Sequence, residues 1–303
     1  MSTAGPATPH RFPPPPGVPC LEDGRVLSQR SFEDAQWMLR LQAPRCAARA
    51  LPGSVVHLAG DEDAPMRRPL SIMRADVAEG WLEVLYQELD PGLAALARRR
   101  AGDPLSLLGP IGRGFVADPA RPRPLLVGDG VGIAPLVFLA ESLLDDRRAA
   151  WQPLVLVGAE TPFPFRARPS TILVPGMPAG TIACMPLLDG WGVPSRLASR
   201  AGRPGCFDGG VTALADAWLG SLDAAARSEV QVFASGPRPM LEVTAALARR
   251  HALPCQVSLA ETLACATGDC ASCTVRIVTP EGPVVQRACV EGPVFDAAAV
   301  FPA

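Results

Sequence analysis

The feature that most restricts this chain lies near its C-terminus. Cys265-x4-Cys270-x2-Cys273 is followed, after fifteen further residues, by Cys289. Three close cysteines with a distant fourth is the plant-type ferredoxin spacing for a 2Fe-2S cluster. Such a cluster needs four thiolates converging on two irons, and a loop that wraps closely enough for backbone N–H groups to point at its sulfurs. The loop Ala264-Cys265-Ala266-Thr267-Gly268-Asp269-Cys270-Ala271-Ser272-Cys273 contains only small residues, which permit that approach. Val275, Ile277 and Val278 predict a strand, Pro280-Glu281-Gly282 a turn, and Pro283 to Gln286 a returning strand that delivers Cys289. Structural zinc is the alternative at this point. Zinc sites commonly use two C-x2-C pairs, and only one is present.

The rest of the composition narrows the setting. At 303 residues the chain suits two domains plus a small appendage. A formal net charge of −2 gives no electrostatic case for nucleic acid or an anionic membrane surface. No apolar run approaches the ~20 residues that span a bilayer. Met1 to Pro19 is Pro-rich without the apolar centre of a signal peptide, so residues 1–21 are expected to be a disordered extension of a cytoplasmic protein. Of the nine cysteines, Cys20, Cys46, Cys184, Cys206 and Cys255 are scattered and are expected to be inert thiols.

From Gly24 to Leu108, short strand-like stretches alternate with turns, among them Ala35 to Leu41, Ser54 to Leu58 and Trp81 to Tyr86. This spacing predicts an antiparallel β-barrel over residues 22–118, with a short helix at Ala94 to Arg100. The rhythm changes near Arg121. Apolar runs at Pro124 to Val127 and Leu154 to Val157, further strand candidates at Ile182 to Pro186 and Val230 to Phe233, and helical segments up to Leu144 and over Pro239 to Arg250 predict an α/β domain with a parallel sheet over 119–250. Pro162 to Pro178 reads as loop. Residues 251–303 are expected to form a small cluster-binding lobe.

Two loops follow strands and precede helices. Gly128-Asp129-Gly130-Val131-Gly132-Ile133-Ala134-Pro135 lets the backbone approach a pyrophosphate at a helix N-terminus, although it is not G-x-G-x-x-G. Ala234-Ser235-Gly236-Pro237-Arg238-Pro239-Met240 would face the same crevice, since ligands bind beyond the carboxyl ends of parallel strands. After Leu154 to Val157 comes Gly158-Ala159-Glu160, an acid that would repel a 2′-phosphate, with no arginine adjacent in sequence; this favours NAD over NADP. Arg67-Arg68-Pro69-Leu70-Ser71 offers a guanidinium fork for a pyrophosphate and a hydroxyl for a flavin ring; read alone, it is equally an arginine turn in solvent.

Taken in order, these segments carry a resemblance. Arg68-Pro69-Leu70-Ser71 resembles the flavin-binding R-P-x-S of the ferredoxin reductase superfamily, and Gly109-Pro110-Ile111-Gly112-Arg113-Gly114-Phe115 resembles its interdomain linker. The two glycine loops resemble its nucleotide loops. With the cysteine cluster and the ending Glu291-Gly292-Pro293-Val294-Phe295, the chain is similar to the electron-transfer subunits of NAD-dependent dihydroorotate dehydrogenases over roughly residues 22 to 300. The resemblance implies a flavin barrel, an NAD-binding α/β domain and a 2Fe-2S lobe. It implies that Cys265, Cys270, Cys273 and Cys289 hold the cluster, that Arg68 holds the FAD pyrophosphate, and that Ser71 contacts the isoalloxazine. Pro69, Leu70, Leu85, Tyr86, Gln87 and Gly92 would complete the flavin site, with Tyr86 stacking on the ring. Gly128, Gly130, Gly132, Gly236 and Pro237 would approach NAD. The implied partner is an FMN-containing catalytic subunit, in a heterotetramer.

Several positions depart from the family pattern. Asp90-Pro91-Gly92-Leu93 stands where G-x-G-T is usual, Gln87 where Arg is common, and Ser235 where a cysteine often precedes Gly-Pro, while Asp129 interrupts a glycine run. Related subunits also serve sulfur-reducing hydrogenases, so a different redox partner is the second reading. A degenerate zinc-bound interaction module is the third.

Overall fold

The computed structural model describes residues 17–59, 66–259 and 263–302. Six strands close an antiparallel barrel: β1 (Cys20–Phe32), β2 (Gln36–Gln42), β3 (Val55–Leu58), β4 (Arg68–Asp76), β5 (Trp81–Gln87) and β6 (Pro104–Ile111). Their order around the barrel is β1-β2-β5-β4-β3-β6. In β1, Cys20, Glu22, Gly24 and Val26 are buried while Leu21, Asp23 and Arg25 face solvent, the period of two that a half-buried strand requires. Glu22 tolerates burial because its carboxylate accepts the N–H groups of Arg45 and Cys46 at 3.0 and 2.9 Å. Cys20 and Leu21, expected in the disordered extension, belong to β1; residues 1–16 of that extension lie outside the described residues. The helix expected at Ala94 to Arg100 spans Pro91–Ala97 instead, because Asp90 caps its first amides and Pro91 fixes its first turn.

The second unit is built on a seven-stranded sheet. In chain order the remaining strands are β7 (Arg123–Asp129), β8 (Leu154–Gly158), β9 (Arg168–Pro169), β10 (Ala183–Cys184), β11 (Ser195–Ser199), β12 (Phe207–Asp208), β13 (Val230–Ser235), β14 (Cys255–Ser258), β15 (Thr274–Thr279), β16 (Gly282–Arg287) and β17 (Val294–Asp296). The sheet runs β12-β11-β8-β7-β13-β14-β17, parallel except that β17 joins antiparallel to β14. The chain steps outward from β7 to β12, returns at β13 and continues the other way. The order therefore reverses between β7 and β13, where such sheets bind ligands. The helix Ala134–Asp145 covers one face, and the helices Val211–Ser221 and Arg238–Arg250 cover the other.

Two expectations need correction. Ile182 to Pro186 does not enter the sheet. Only Ala183–Cys184 is extended, pairing with Arg168–Pro169 in a separate ribbon, and Pro186 opens a short helix. The sheet takes Ser195–Ser199 there, where only Leu197 and Ala198 are apolar. The other correction is one of boundary: the cluster-binding part is present at the C-terminus, but the strands that flank it belong to the sheet. β14 and β17 are sheet strands, and the cysteine loop with the β15–β16 hairpin is inserted between them.

The two units are packed firmly. Met73 of β4 and Leu85 of β5 turn outward and join Ile133, Leu136 and Val137 in one core cluster. Phe115 meets Phe233 edge-on at 5.5 Å. Arg74 donates to Glu141 on the facing helix at 2.6 and 3.0 Å. The segment after β6 is pinned as well. Val116 exchanges hydrogen bonds with the Gln256 amide at 3.0 and 2.7 Å, and the Arg113 N–H donates to the Gly292 carbonyl.

One buried group makes stability depend on pH. His57 on β3 is 1% exposed, and its Nε2 has no hydrogen-bond partner. Burial first, and then the charge of Arg67, push its pKa down to about 4 from the ordinary 6.5. Between those values the unfolded chain binds a proton that the folded chain refuses, so stability is full above 6.5 and falls as pH drops through the window. The contribution lost is about 3 kcal/mol. Urea unfolding across this range should show the decline, and His57→Leu should flatten it; an unchanged slope in the variant would remove His57 as its source.

Candidate functional site

The cysteine loop has no regular secondary structure from Leu263 to Cys273. Ala266, Gly268 and Ala271 take positive φ of 68°, 90° and 54°, which turn the chain back on itself repeatedly. The β15–β16 register sets the fourth sulfur: Thr274 pairs with Arg287, the Ala288 N–H donates to the Cys273 carbonyl at 2.9 Å, and Cys273 and Cys289 meet at the open end. Their sulfurs are 3.3 Å apart and both are buried. Cys265 and Cys270 form the second pair, close enough for Cys270 to act on the Cys265 thiol. The backbone N–H of Cys270, followed by the Cys270 thiol and Thr267, holds the Cys265 thiol down to about 6. Burial and the neighbouring Cys273 push Cys289 up to about 12, while the Gly268 N–H opposes that shift. The loop thus aims backbone donors at sulfur, as a cluster of thiolates requires. Cys270 is exposed, with the Ser272 hydroxyl 3.1 Å from its sulfur. Of the other five cysteines, four are buried and Cys206 is half-buried; burial raises the thiols of Cys46, Cys184, Cys206 and Cys255.

The flavin-motif residues lie at the mouth of the barrel, on β4 and β5. Arg68 is already engaged. Its Nε donates to both Asp90 oxygens at 2.8 and 2.9 Å, and Nη1 donates to the Met66 carbonyl at 2.9 Å. Asp90 Oδ1 also accepts the Gly92 and Leu93 amides at 2.7 and 3.1 Å. Partial burial pushes the Asp90 carboxyl up, but Arg68 and these amides outweigh it and hold the group below its ordinary value. Gly92 is buried under the guanidinium, where a Cβ would lie 2.8 Å from Arg68 Cζ. The Asp90-Pro91-Gly92-Leu93 departure therefore builds a helix cap that clasps Arg68, a pairing that the spacing of the two residues does not reveal.

Pro69 and Ser71 are half-buried, and Leu70 points into the barrel. Leu85 faces the interdomain core. Tyr86 is 1% exposed inside the barrel, its hydroxyl accepting from Gln29 at 3.2 Å. The expected stacking of Tyr86 on a flavin is not what the fold provides, because alternation along β5 sends this ring inward. Gln87 donates to the Asp34 carboxylate at 2.7 Å, bracing the β1–β2 turn.

The two glycine loops meet beyond β7 and β13. Gly128 ends the apolar part of β7, Gly130–Ile133 make one 3-10 turn with Gly130 at φ 56°, and the helix Ala134–Asp145 follows. A Cβ on Gly132 would lie 2.6 Å from Gly236 Cα and 2.7 Å from the Ser235 carbonyl, so only glycine allows the loops to touch. Pro237 is exposed and caps the helix Arg238–Arg250. Beside the loops lies a cavity of about 230 Å³ lined by Asp129, Glu160, Arg200, Gly210, Thr212 and Met240. Burial and the charge of Glu160 push the Asp129 carboxyl up, against the Gly130 amide and Arg200. Glu160 does have an arginine beside it: Arg200 Nη1 donates to its Oε1 at 2.8 Å. Forty residues separate the two in sequence, and only the pairing of β8 with β11 brings them together.

A family model for the iron-sulfur cluster binding domain of dihydroorotate dehydrogenase B matches residues 260–301. The chain is 30% identical over 280 residues to the dihydroorotate dehydrogenase B (NAD(+)) electron transfer subunit of Bacillus caldolyticus, covering 91% of this chain and 96% of that one. Against the subunit of the same name from Desulforamulus reducens it is 29% identical over 279 residues, covering 90% and 95%. Among solved structures, that of an NADH-dependent reduced ferredoxin-NADP oxidoreductase matches with a TM-score of 0.71 at 23% identity, covering 91% of this chain and 89% of the other. The ferredoxin reductase of carbazole 1,9a-dioxygenase matches with a TM-score of 0.58 at 16% identity, covering 77% and 65%. These structural matches carry the ferredoxin-reductase-like fold. The sequence similarity, sustained over nearly the whole of both chains, places this chain in the family of dihydroorotate dehydrogenase B electron transfer subunits.

Proposed function

We propose that this chain carries electrons from an FMN-containing dihydroorotate dehydrogenase catalytic subunit to NAD, through a 2Fe-2S cluster and an FAD that it holds itself. The observation that carries this reading is the pairing of the four sulfurs, Cys265 with Cys270 and Cys273 with Cys289, inside the segment matched by the cluster-binding family model. Two thiols for each of two irons suit a binuclear cluster. When bound, the cluster supplies one-electron carriage, FAD the conversion between one and two electrons, and NAD the hydride acceptor.

The chain's own residues bind and orient these groups. Amides of Thr267, Gly268 and Cys270 stabilise thiolate charge at Cys265 and Cys289. Exposed Cys270 leaves one edge of the loop open to the partner subunit, where a short electron path is possible. Arg68 would take the FAD pyrophosphate and Ser71 the ring, with Pro69, Leu70, Leu85, Gln87 and Gly92 shaping the backbone around them. Tyr86 would act from inside the barrel by holding β5 in place. Gly128, Gly130, Gly132, Gly236 and Pro237 would bring backbone close to the NAD pyrophosphate. The assembly with the catalytic subunit is a cytoplasmic heterotetramer; among the described residues no helix is long and apolar enough to cross a membrane.

Cys270→Ser should abolish the cluster's visible absorption and leave FAD bound; a normal cluster spectrum in that variant would refute the ligand assignment. The Arg68–Asp90 pair gives a second expectation. Asp90→Asn keeps a capping oxygen but removes the charge that competes for Arg68. FAD affinity, titrated by flavin fluorescence on apoprotein, should rise roughly threefold to tenfold, the scale of a partly exposed ion pair. An unchanged Kd would mean that Arg68 does not engage the pyrophosphate.

A further inference from the structure

The crevice beside the nucleotide loops holds a charged pair that the binding of NAD does not fully use. In a sheet of this order the adenosine ribose lies beyond the strand next to the glycine strand. That strand is β8, which lies between β7 and β11. Glu160 stands two residues past the end of β8, and Arg200 one residue past the end of β11. Their 2.8 Å contact joins side chains that are 75% and 70% exposed. A pair so open to water is weak and exchanges partners readily. The wall behind Arg200 is bare: a Cβ on Gly210 would lie 3.5 Å from its Nη2. A guanidinium presents a planar fork that matches phosphate oxygens two at a time.

We propose that Glu160 and Arg200 form a two-way selector at the ribose 2′ position, so that this site takes NADP(H) as well as NAD(H). This rests on the nucleotide-site reading above. With a 2′-hydroxyl present, Glu160 accepts its hydrogen bond and Arg200 stays beside Glu160. With a 2′-phosphate present, Arg200 leaves Glu160 and turns its fork to the dianion. Glu160 and Asp129 both line this cavity and repel a 2′-phosphate, so Arg200 offsets a cost rather than giving NADP(H) an outright advantage.

Calorimetric titration of the full holo-chain with two probes, 5′-AMP and adenosine 2′,5′-bisphosphate, separates the possibilities. The wild-type chain should bind both, with Kd values within roughly tenfold of each other. Arg200→Ala should weaken the bisphosphate by roughly tenfold or more and move 5′-AMP by no more than about twofold. Glu160→Gln should tighten the bisphosphate several-fold, by removing one repelling charge. If 5′-AMP binds but the bisphosphate does not, or if Arg200→Ala leaves the bisphosphate unchanged or weakens both probes alike, the selector is overturned and the nucleotide site stands. If the wild-type chain binds neither probe, the selector falls together with the nucleotide site. Both side chains are exposed, so the variants should fold, and an unaltered flavin spectrum checks this.

Discussion

The placement of the three sites hangs on a backbone contact between the turn after β6 and the residues before β17. Gly112 has no room for a side chain: a Cβ would lie 2.3 Å from Pro293 Cδ. The Arg113 N–H donates to the Gly292 carbonyl, and the Leu259 N–H donates to the Pro293 carbonyl at 2.9 Å. This clasp ties the barrel's exit to the last sheet strands, and the cysteine hairpin is suspended between those strands. Electron transfer falls steeply with distance, so a chain that holds separate carriers needs them on one rigid frame. Here the frame is a packed interface: Phe115 on Phe233, Met73 and Leu85 on the sheet-facing helix, and Arg74 on Glu141.

Within that frame the binding sites differ in how far they are prepared. The cysteine loop is already shaped by left-handed residues and inward amides. The glycine loops are held against one another by the Gly132–Gly236 contact. Arg68, proposed to take the FAD pyrophosphate, is by contrast occupied by the chain's own carboxylate. Asp90 satisfies the amides of a helix start and the guanidinium together, so Arg68 is paired without a ligand. On the proposed assignment, an incoming pyrophosphate would displace one partner of this arrangement.

Much of this was legible in the sequence where a segment announces itself locally. β7 is a continuous apolar run from Pro124 to Gly128, β5 and β13 are mainly apolar with single polar breaks at Glu83 and Gln231, and the hairpin around Pro280-Glu281-Gly282 follows from its turn residues. The cysteine spacing needed no tertiary knowledge. What escaped depended on contacts between distant segments. β11 has only Leu197 and Ala198 as apolar residues, so it does not read as a strand, and Arg200 was hidden with it. The helix Val211–Ser221 is different: Val211, Leu214, Ala215, Trp218 and Leu219 stand at helical spacing, so its signal is local and the reading of the α/β domain passed over it. The direction of Tyr86 turns on the alternation along β5, where both faces are buried and composition cannot distinguish them. The boundary drawn at 251 was misplaced because the pairing of Cys255–Ser258 with β13 joins residues some twenty apart in the chain.

The last strand has a bearing on how the protein matures. β17 seals the outer margin of β14, and it arrives only after the chain has passed through the cysteine hairpin. Unpaired sheet margins are templates on which other chains can add. Finishing the metal-binding turn and covering that border are therefore steps of one assembly. A chain cut short within the hairpin would lose β17 as well, and the outer margin of β14 would be left open to other chains.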